Sequence, residues 1–534
     1  MKKSFTIPSS LFTLFLLINF SCFSQEFSHP DSLRGGLPFE RTSFDVVHYD
    51  IATKIHPDTK SIEGNTKIRF KIIKPTNKIQ LDLFENLEIH SIKMDGKTLN
   101  YTRDGNAFFV NFPKKLKENS LNELTISYSG KPRAAVRPPW DGGFSWTKDN
   151  NGKDWITLSC EGLGASVWWP CKDHPSDEPD SVDIQLIVPK DLMAVSNGNL
   201  IDKKAEGDFM NYHWKVSYPI NLYNITLNIA DYRHWSEKLL QYNGQELALD
   251  YYVLPYNLEK SKSHFQQVRE MLLIFEKYFG PYPFPKDGYA MVETDYWGME
   301  HQSAVAYGNH YLNNNFGFDF IIIHESAHEW FGNSISCTDH ADLWIHEAFG
   351  TYAEMVYLEE KMNKDFALTY MQTKKRSIQN KYPIVGPYGV NYQNPDSDMY
   401  FKGSWFIHSL RNITNNDELW WKTMKDFCMN FYHKNTNTEE VLSFFEERLK
   451  IPVKELAKTY LFTTKIPTLV YSVDNEIMTY HWENVEGDFK MSVPYSDEMT
   501  KKSPLMVSTK PQTISVNGVP KFHDENYLIQ LKKQ

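Results

Sequence analysis

The chain has 534 residues, more than one hydrophobic core organises, so two to four domains are expected. Hydrophobic residues make up 41% and aromatics 15%, enough for cores and ring-lined grooves, which excludes a chain dominated by disorder. A net charge of −10 excludes a general nucleic-acid binder, which needs a basic face to neutralise phosphates; a cationic ligand is easier to accommodate.

The first stretch, "MKKSFTIPSSLFTLFLLINFSCFSQ", joins two lysines, an apolar run from Leu11 to Phe20 and small residues at Ser21 and Ser24. Residues 1–24 therefore read as an export signal, with a mature chain starting near Gln25 that is periplasmic or secreted. Cys22 offers a competing reading as a lipid-attachment site, although Asn19 stands where such signals carry an aliphatic residue. Cys160, Cys171, Cys337 and Cys428 show no short paired spacing, so neither a cysteine zinc site nor a disulfide scaffold is expected, and one bridge is left open. No later apolar segment approaches the roughly 20 residues needed to span a bilayer.

From Phe44 to about Tyr232 short alternating runs recur, among them "HYDIATKI", "NTKIRFKI", "IQLDLF", "NELTISYSG", "VDIQLIVP" and "YNITLNIA", punctuated by Asp-Gly, Ser-Gly and Asn-Gly turns. Residues 25–235 are therefore expected to form a β-sheet domain. The period then turns helical: "LEKSKSHFQQVREMLLIFEKYFG" ends in Gly280 before Pro281, and further helices are expected over 318–333, 343–362, 364–380, 417–433 and 438–449. A mainly helical domain thus covers 236–466. Alternation returns in "TLVYSVD", "IMTYHWEN" and "FKMSVPY", giving a small β domain over 467–534. The fold class is multi-domain α+β with no large helical C-terminal domain.

Inside "FDFIIIHESAHEWFGN", His324 and His328 stand four apart on an expected helix, so both imidazoles share a face and reach one ion. Glu325 is offset from them, outside the ligand set but within reach of water beside the metal. HExxH alone also fits an amphipathic helix with two satisfied histidines. Glu347, 18 residues beyond His328 in "DLWIHEAFGTYAE", adds a third donor. Two histidines and a carboxylate leave a tetrahedral position open, as a catalytic zinc requires and a closed structural site does not. His346 should point elsewhere, and Glu354, seven residues beyond Glu347, reads equally as a histidine partner or a solvated helix residue.

HExxH followed after 18 residues by the Glu of "WIHEAFGTY" resembles the gluzincin zinc aminopeptidases, the group of membrane alanyl aminopeptidase and leukotriene hydrolase. "WGMEHQSA" resembles the family's GxMEN motif, "YFGPYPFPKDGYAMVETDYWGMEH" its approach, and "WWPCKDHPS" its Pro-Cys-Phe-Asp-Glu-Pro segment, so the likeness runs from about Phe44 to Pro467. The resemblance implies a central thermolysin-like peptidase domain holding one Zn2+ through His324, His328 and Glu347, and peptide substrates with a free N-terminus. It gives Glu325 the role of general base, and Tyr400 of "MYFKGSW" that of donor to the developing oxyanion. Glu300 and Glu161 hold the α-ammonium, within a substrate site that includes Gly298 and Met299.

Two positions depart from the pattern: Trp297 stands at the motif's first Gly and His301 at its Asn, so the first-residue pocket does not carry over. Many relatives continue into a helical domain that roofs the site; its absence here implies a more open cleft, without the basic residues that grip a substrate carboxylate in some relatives. The alternatives are a thermolysin-like endopeptidase, which has no need of Glu161 and Glu300, and a non-catalytic peptide-binding protein.

Overall fold

The computed structural model describes residues 27–393 and 395–534; the export-signal segment and Cys22 lie outside them. The N-terminal part is built on an eight-stranded sheet in which Phe44–His56 pairs antiparallel with Ser61–Ile72 and parallel with Ser181–Pro189. Ser61–Ile72 shows why the alternation was legible: every second side chain is buried, and the polar ones between face solvent. A four-stranded sheet runs in the order Met193–Val195, Asn228–Ala230, Asp154–Ser159, Gly143–Lys148, and Asp154–Ser159 delivers the chain directly to Glu161.

The run "YNITLNIA" is only partly strand: Leu222–Asn224 is a 3-10 turn, and regular pairing begins at Asn228. The reason is the buried Asn197, whose amide donates to the Asn224 carbonyl at 2.8 Å and accepts from the Thr226 N–H at 2.9 Å. One side chain thus satisfies the backbone groups a ladder would otherwise pair.

A five-stranded sheet follows, ordered Arg233–Leu240, Glu246–Val253, Tyr289–Glu293, Val305–Tyr307, Gly298–Met299. Its first strand straddles the expected boundary at 235/236. Gly298–Met299 forms the opposite edge. The helix expected over 258–280 is two helices, Leu258–His264 and Gln266–Phe279, and that expected over 318–333 is Phe320–Ala327 alone. The remaining expected helices are Trp344–Lys361, Lys364–Ser377, Asp417–Asn430 and Thr438–Leu449. Four helices have no counterpart in the expected set: the short His29–Gly35 and Phe39–Thr42 ahead of the first strand, and Asp398–Thr414 and Val453–Tyr460 in the helical part.

Beyond Tyr460 the regular structure is all β: a four-stranded sheet around Thr468–Asp474 and a three-stranded one around Lys490–Ser496. These strands have no separate core. Leu469, Trp482, Val493 and Ile529 join one apolar cluster with Leu272, Phe349, Trp405 and Tyr460 of the helices. The four described cysteines are all free and buried, and no described helix is long and apolar enough to cross a membrane.

Candidate active site

Asp319 starts the short helix: its carboxylate accepts from the Ile321 N–H at 3.1 Å, and from the Tyr307 hydroxyl and the Asn309 amide. The helix stops early because the chain reverses at Gly332 (φ 130°), which brings the Phe331 carbonyl back to His328 Nδ1 at 2.8 Å. A carbonyl only accepts, so Nδ1 carries the proton and Nε2 presents its lone pair. His324 is set the same way, its Nδ1 lying 2.8 Å from Glu354 Oε1.

The Nε2 atoms of His324 and His328 are 3.3 Å apart, and Glu347 Oε2 lies 3.5 and 3.6 Å from them. Donors about 2.05 Å from a tetrahedral zinc stand roughly 3.3 Å from one another, so this triangle fits that ion. Glu347 Oε2 is buried with no hydrogen-bond partner, an orphan that a cation would satisfy. Burial raises the Glu347 carboxyl, but His328 and His324 more than offset it, leaving its pKa below the usual value. Burial also pushes His328 down to about 4, so it is neutral and able to ligate at neutral pH.

Glu354 is a buried partner of His324, not a solvated residue. Burial would raise its pKa, yet Lys374, His324 and Tyr370 hold it down to about 2. Lys374 Nζ sits 3.0 Å from Glu354 Oε2, and the Tyr370 hydroxyl donates to the same oxygen. His346 turns away, its Nε2 accepting the Cys337 N–H at 3.0 Å.

Glu325 faces the Gly298–Met299 edge so closely that a Cβ on Gly298 would come 2.5 Å from its Oε1, so a larger residue there would push the carboxylate aside. Burial, opposed by His324 and reinforced by Glu347 and Glu354, pushes Glu325 up to about 7. Met299 packs with Tyr296 and Ala306 beneath this edge. Trp297 is half exposed and meets Phe320 edge-to-face at 5.4 Å, while His301 is fully buried.

Glu161 and Glu300 converge on the metal triangle, with carboxylate oxygens of Glu161, Glu300 and Glu347 all within 4.8 Å of one another. Burial first, then the neighbouring carboxylates, raises the pKa of both Glu161 and Glu300, a crowding of negative charge that cations would relieve. The Tyr223 hydroxyl donates to Glu300 Oε1 at 3.0 Å, and Asn333 holds the Glu300 carbonyl at 2.9 Å.

Tyr400 completes the ring of groups, 6.0 Å from the His324 ring centroid to centroid. Its helix is drawn onto the Glu347 helix by Gly403, where a Cβ would lie 2.7 Å from that of Ala348. Gly403 is three residues from Tyr400, on the same helical face. Lys402 anchors the helix beside it, donating to Asn380 Oδ1 and the Thr463 carbonyl, both at 2.8 Å. The motif around Tyr400 therefore consists of a phenol and the two residues that fix its helix.

Thus the structure brings His324, His328, Glu347, Glu325, Gly298, Met299, Glu300, Glu161 and Tyr400 into one neighbourhood. It adds Tyr223, Asn333, Tyr370 and Lys374, which no local pattern marks, since each meets the site only through the fold.

Residues 46–223 match the Peptidase M1 N-terminal domain and residues 263–460 the Peptidase family M1 domain. The chain belongs to the M1 peptidase family. It is 22% identical over 442 residues to "Probable aminopeptidase 2" of Sulfurisphaera tokodaii, covering 78% of this chain and 54% of that protein. With "Endoplasmic reticulum aminopeptidase 1" of Rattus norvegicus the identity is 22% over 437 residues, 74% of this chain and 45% of that protein. The chain thus spans about half the length of these curated relatives. Among solved structures, the M1 zinc metallopeptidase from Deinococcus radiodurans superposes with a TM-score of 0.69 at 19% identity, over 80% of this chain and 96% of that one. A variant of that protein bound to a Tyr-Ser-Ala substrate gives 0.68 at 19% identity, with the same coverage.

Proposed function

We propose that the protein is a zinc-dependent aminopeptidase that removes single N-terminal residues from peptides. The observation that carries this reading is the carboxylate pair Glu161 and Glu300 beside a His, His, Glu triangle. A metal alone serves any zinc peptidase; two further acids at one end of the site, Glu300 buried and Glu161 half-buried, suit a substrate ammonium.

His324, His328 and Glu347 would hold a zinc ion, which would supply Lewis acidity at the scissile carbonyl and make a water more acidic near neutral pH. Glu325, buried against the Gly298–Met299 edge, is placed to take a proton from the attacking water and pass it to the leaving amine. Tyr400 donates to the carbonyl oxygen as negative charge develops there. Glu161 and Glu300 accept from the α-ammonium and fix the register at one residue. Tyr223 occupies one oxygen of Glu300 and so orients the carboxylate.

Tyr400→Phe is expected to lower kcat by roughly 10²–10³ with little change in KM, because its hydrogen bond strengthens mainly in the transition state. An effect confined to KM would make Tyr400 a binding residue.

The function is tested by a mass-spectrometric time course on free and N-acetylated forms of one ten-residue peptide. Acetylation removes the charge and adds bulk where the carboxylates sit, so a ladder shortening from the N-terminus is expected only for the free peptide. Internal cleavage of both forms at similar rates would establish an endopeptidase instead.

A further inference from the structure

Behind the carboxylate pair, the two sides of the cleft are tied together by a residue that the chemistry does not use. Arg34 lies near the end of the short helix His29–Gly35, with its guanidinium against the turn that carries Glu161. Its Nη1 donates to the Gly162 carbonyl and, at 2.7 Å, to Asn391 Oδ1; its Nε lies 3.8 Å from the Asp173 carboxylate. Gln393 Nε2 donates to the same Gly162 carbonyl at 3.0 Å.

The helix that presents Arg34 is itself seated on both sides. The Asn391 N–H donates to the Asp31 carbonyl at 3.0 Å, and His174 Nε2 donates to the Gly35 carbonyl at 3.1 Å. Gly35 sits so tightly on Val390 that a Cβ would fall 2.0 Å from its carbonyl carbon. The segment from Gly389 to Gln393 belongs to the stretch leading into the helix of Tyr400. A small cavity of about 40 Å³ is lined by Arg34, Glu161, Gly162 and Tyr223 among others.

We infer that Arg34 is a positioning residue for recognition of the substrate's free amine. It holds the Gly162 carbonyl, keeps the Glu161 carboxylate at a fixed separation from Glu300, and joins that turn to the chain leading to Tyr400. A guanidinium suits the task because Nη1 donates to both Gly162 and Asn391 while Nε of the same rigid plane faces the Asp173 carboxylate. This inference rests on the reading of Glu161 as an ammonium acceptor.

The test is a double-mutant cycle on the metal-loaded full chain, pairing Arg34→Ala with Glu161→Gln and reading kcat and KM on an alanyl arylamide. Ammonium binding acts equally on ground and transition states, so Arg34→Ala alone should raise KM about tenfold and leave kcat within about twofold. In the Glu161→Gln background the same substitution should change KM by less than about twofold, since its effect passes through Glu161. A structural role alone would give the same factor in both backgrounds and would reach kcat; that result, or an unchanged KM in Arg34→Ala, overturns the inference. An unchanged KM in Glu161→Gln instead overturns the reading beneath it, and this inference with it. If Arg34→Ala does not fold, Arg34→Met carries the cycle: it keeps an apolar stem of similar length but removes the donors to Gly162 and Asn391, so a KM rise of the same sign and the same dependence on Glu161 are required.

Discussion

Glu325→Gln is expected to retain a full complement of zinc while losing about 10²–10⁴ in kcat, the range associated with removal of a general base. Gln has nearly the same shape, so the close approach to Gly298 is preserved and the three ligands keep their partners. What is lost is the ability to hold a proton between attack of water and departure of the amine. Metal analysis alongside single-turnover rates separates the two effects. Turnover close to that of the unsubstituted protein, at full metal loading, would remove Glu325 from the chemistry.

His328→Ala should abolish metal binding and activity together. Two donors remain, and His346, the imidazole nearest in sequence to Glu347, turns away with its Nε2 on the Cys337 N–H. Glu354→Gln, which disturbs only the partner of His324, should weaken metal affinity by about 10–100-fold instead. Thermal melting gives a readout independent of catalysis: a bound ion stabilises the folded state by mass action, so a chelator should lower the Tm of the unsubstituted protein and leave His328→Ala unmoved. Full zinc retention in His328→Ala would show that the ligand set is misassigned.

How much of this was legible beforehand depends on how local each signal is. His324, His328 and Glu347 follow from spacing, because a four-residue step on a helix and a donor at the start of the next are short-range facts. Glu161, Glu300 and Tyr400 carried no such signal, and only a family likeness singled them out. The helix of Tyr400 was missed for a physical reason: every residue from Lys402 to Arg411 is buried, so no polar face marks the period, and Gly403 reads as a breaker. The early end of the Phe320–Ala327 helix was equally hidden, since it answers to the need of His328 for a carbonyl partner. The C-terminal strands were readable because one of their faces meets solvent, as the alternating burial of Ile477–Glu483 records.

The contact at Gly403 also bears on where the entropy of catalysis is lost. With no side chain between it and Ala348, the helix of Tyr400 rests on the helix of Glu347, and Lys402 ties it to Asn380 and Thr463. The thermal excursions of the phenol are therefore those of a packed helix rather than of a loop. Its orientational freedom is given up once, when the chain folds, and not again at each encounter with a peptide, so the reorganisation needed as charge reaches the carbonyl oxygen is small.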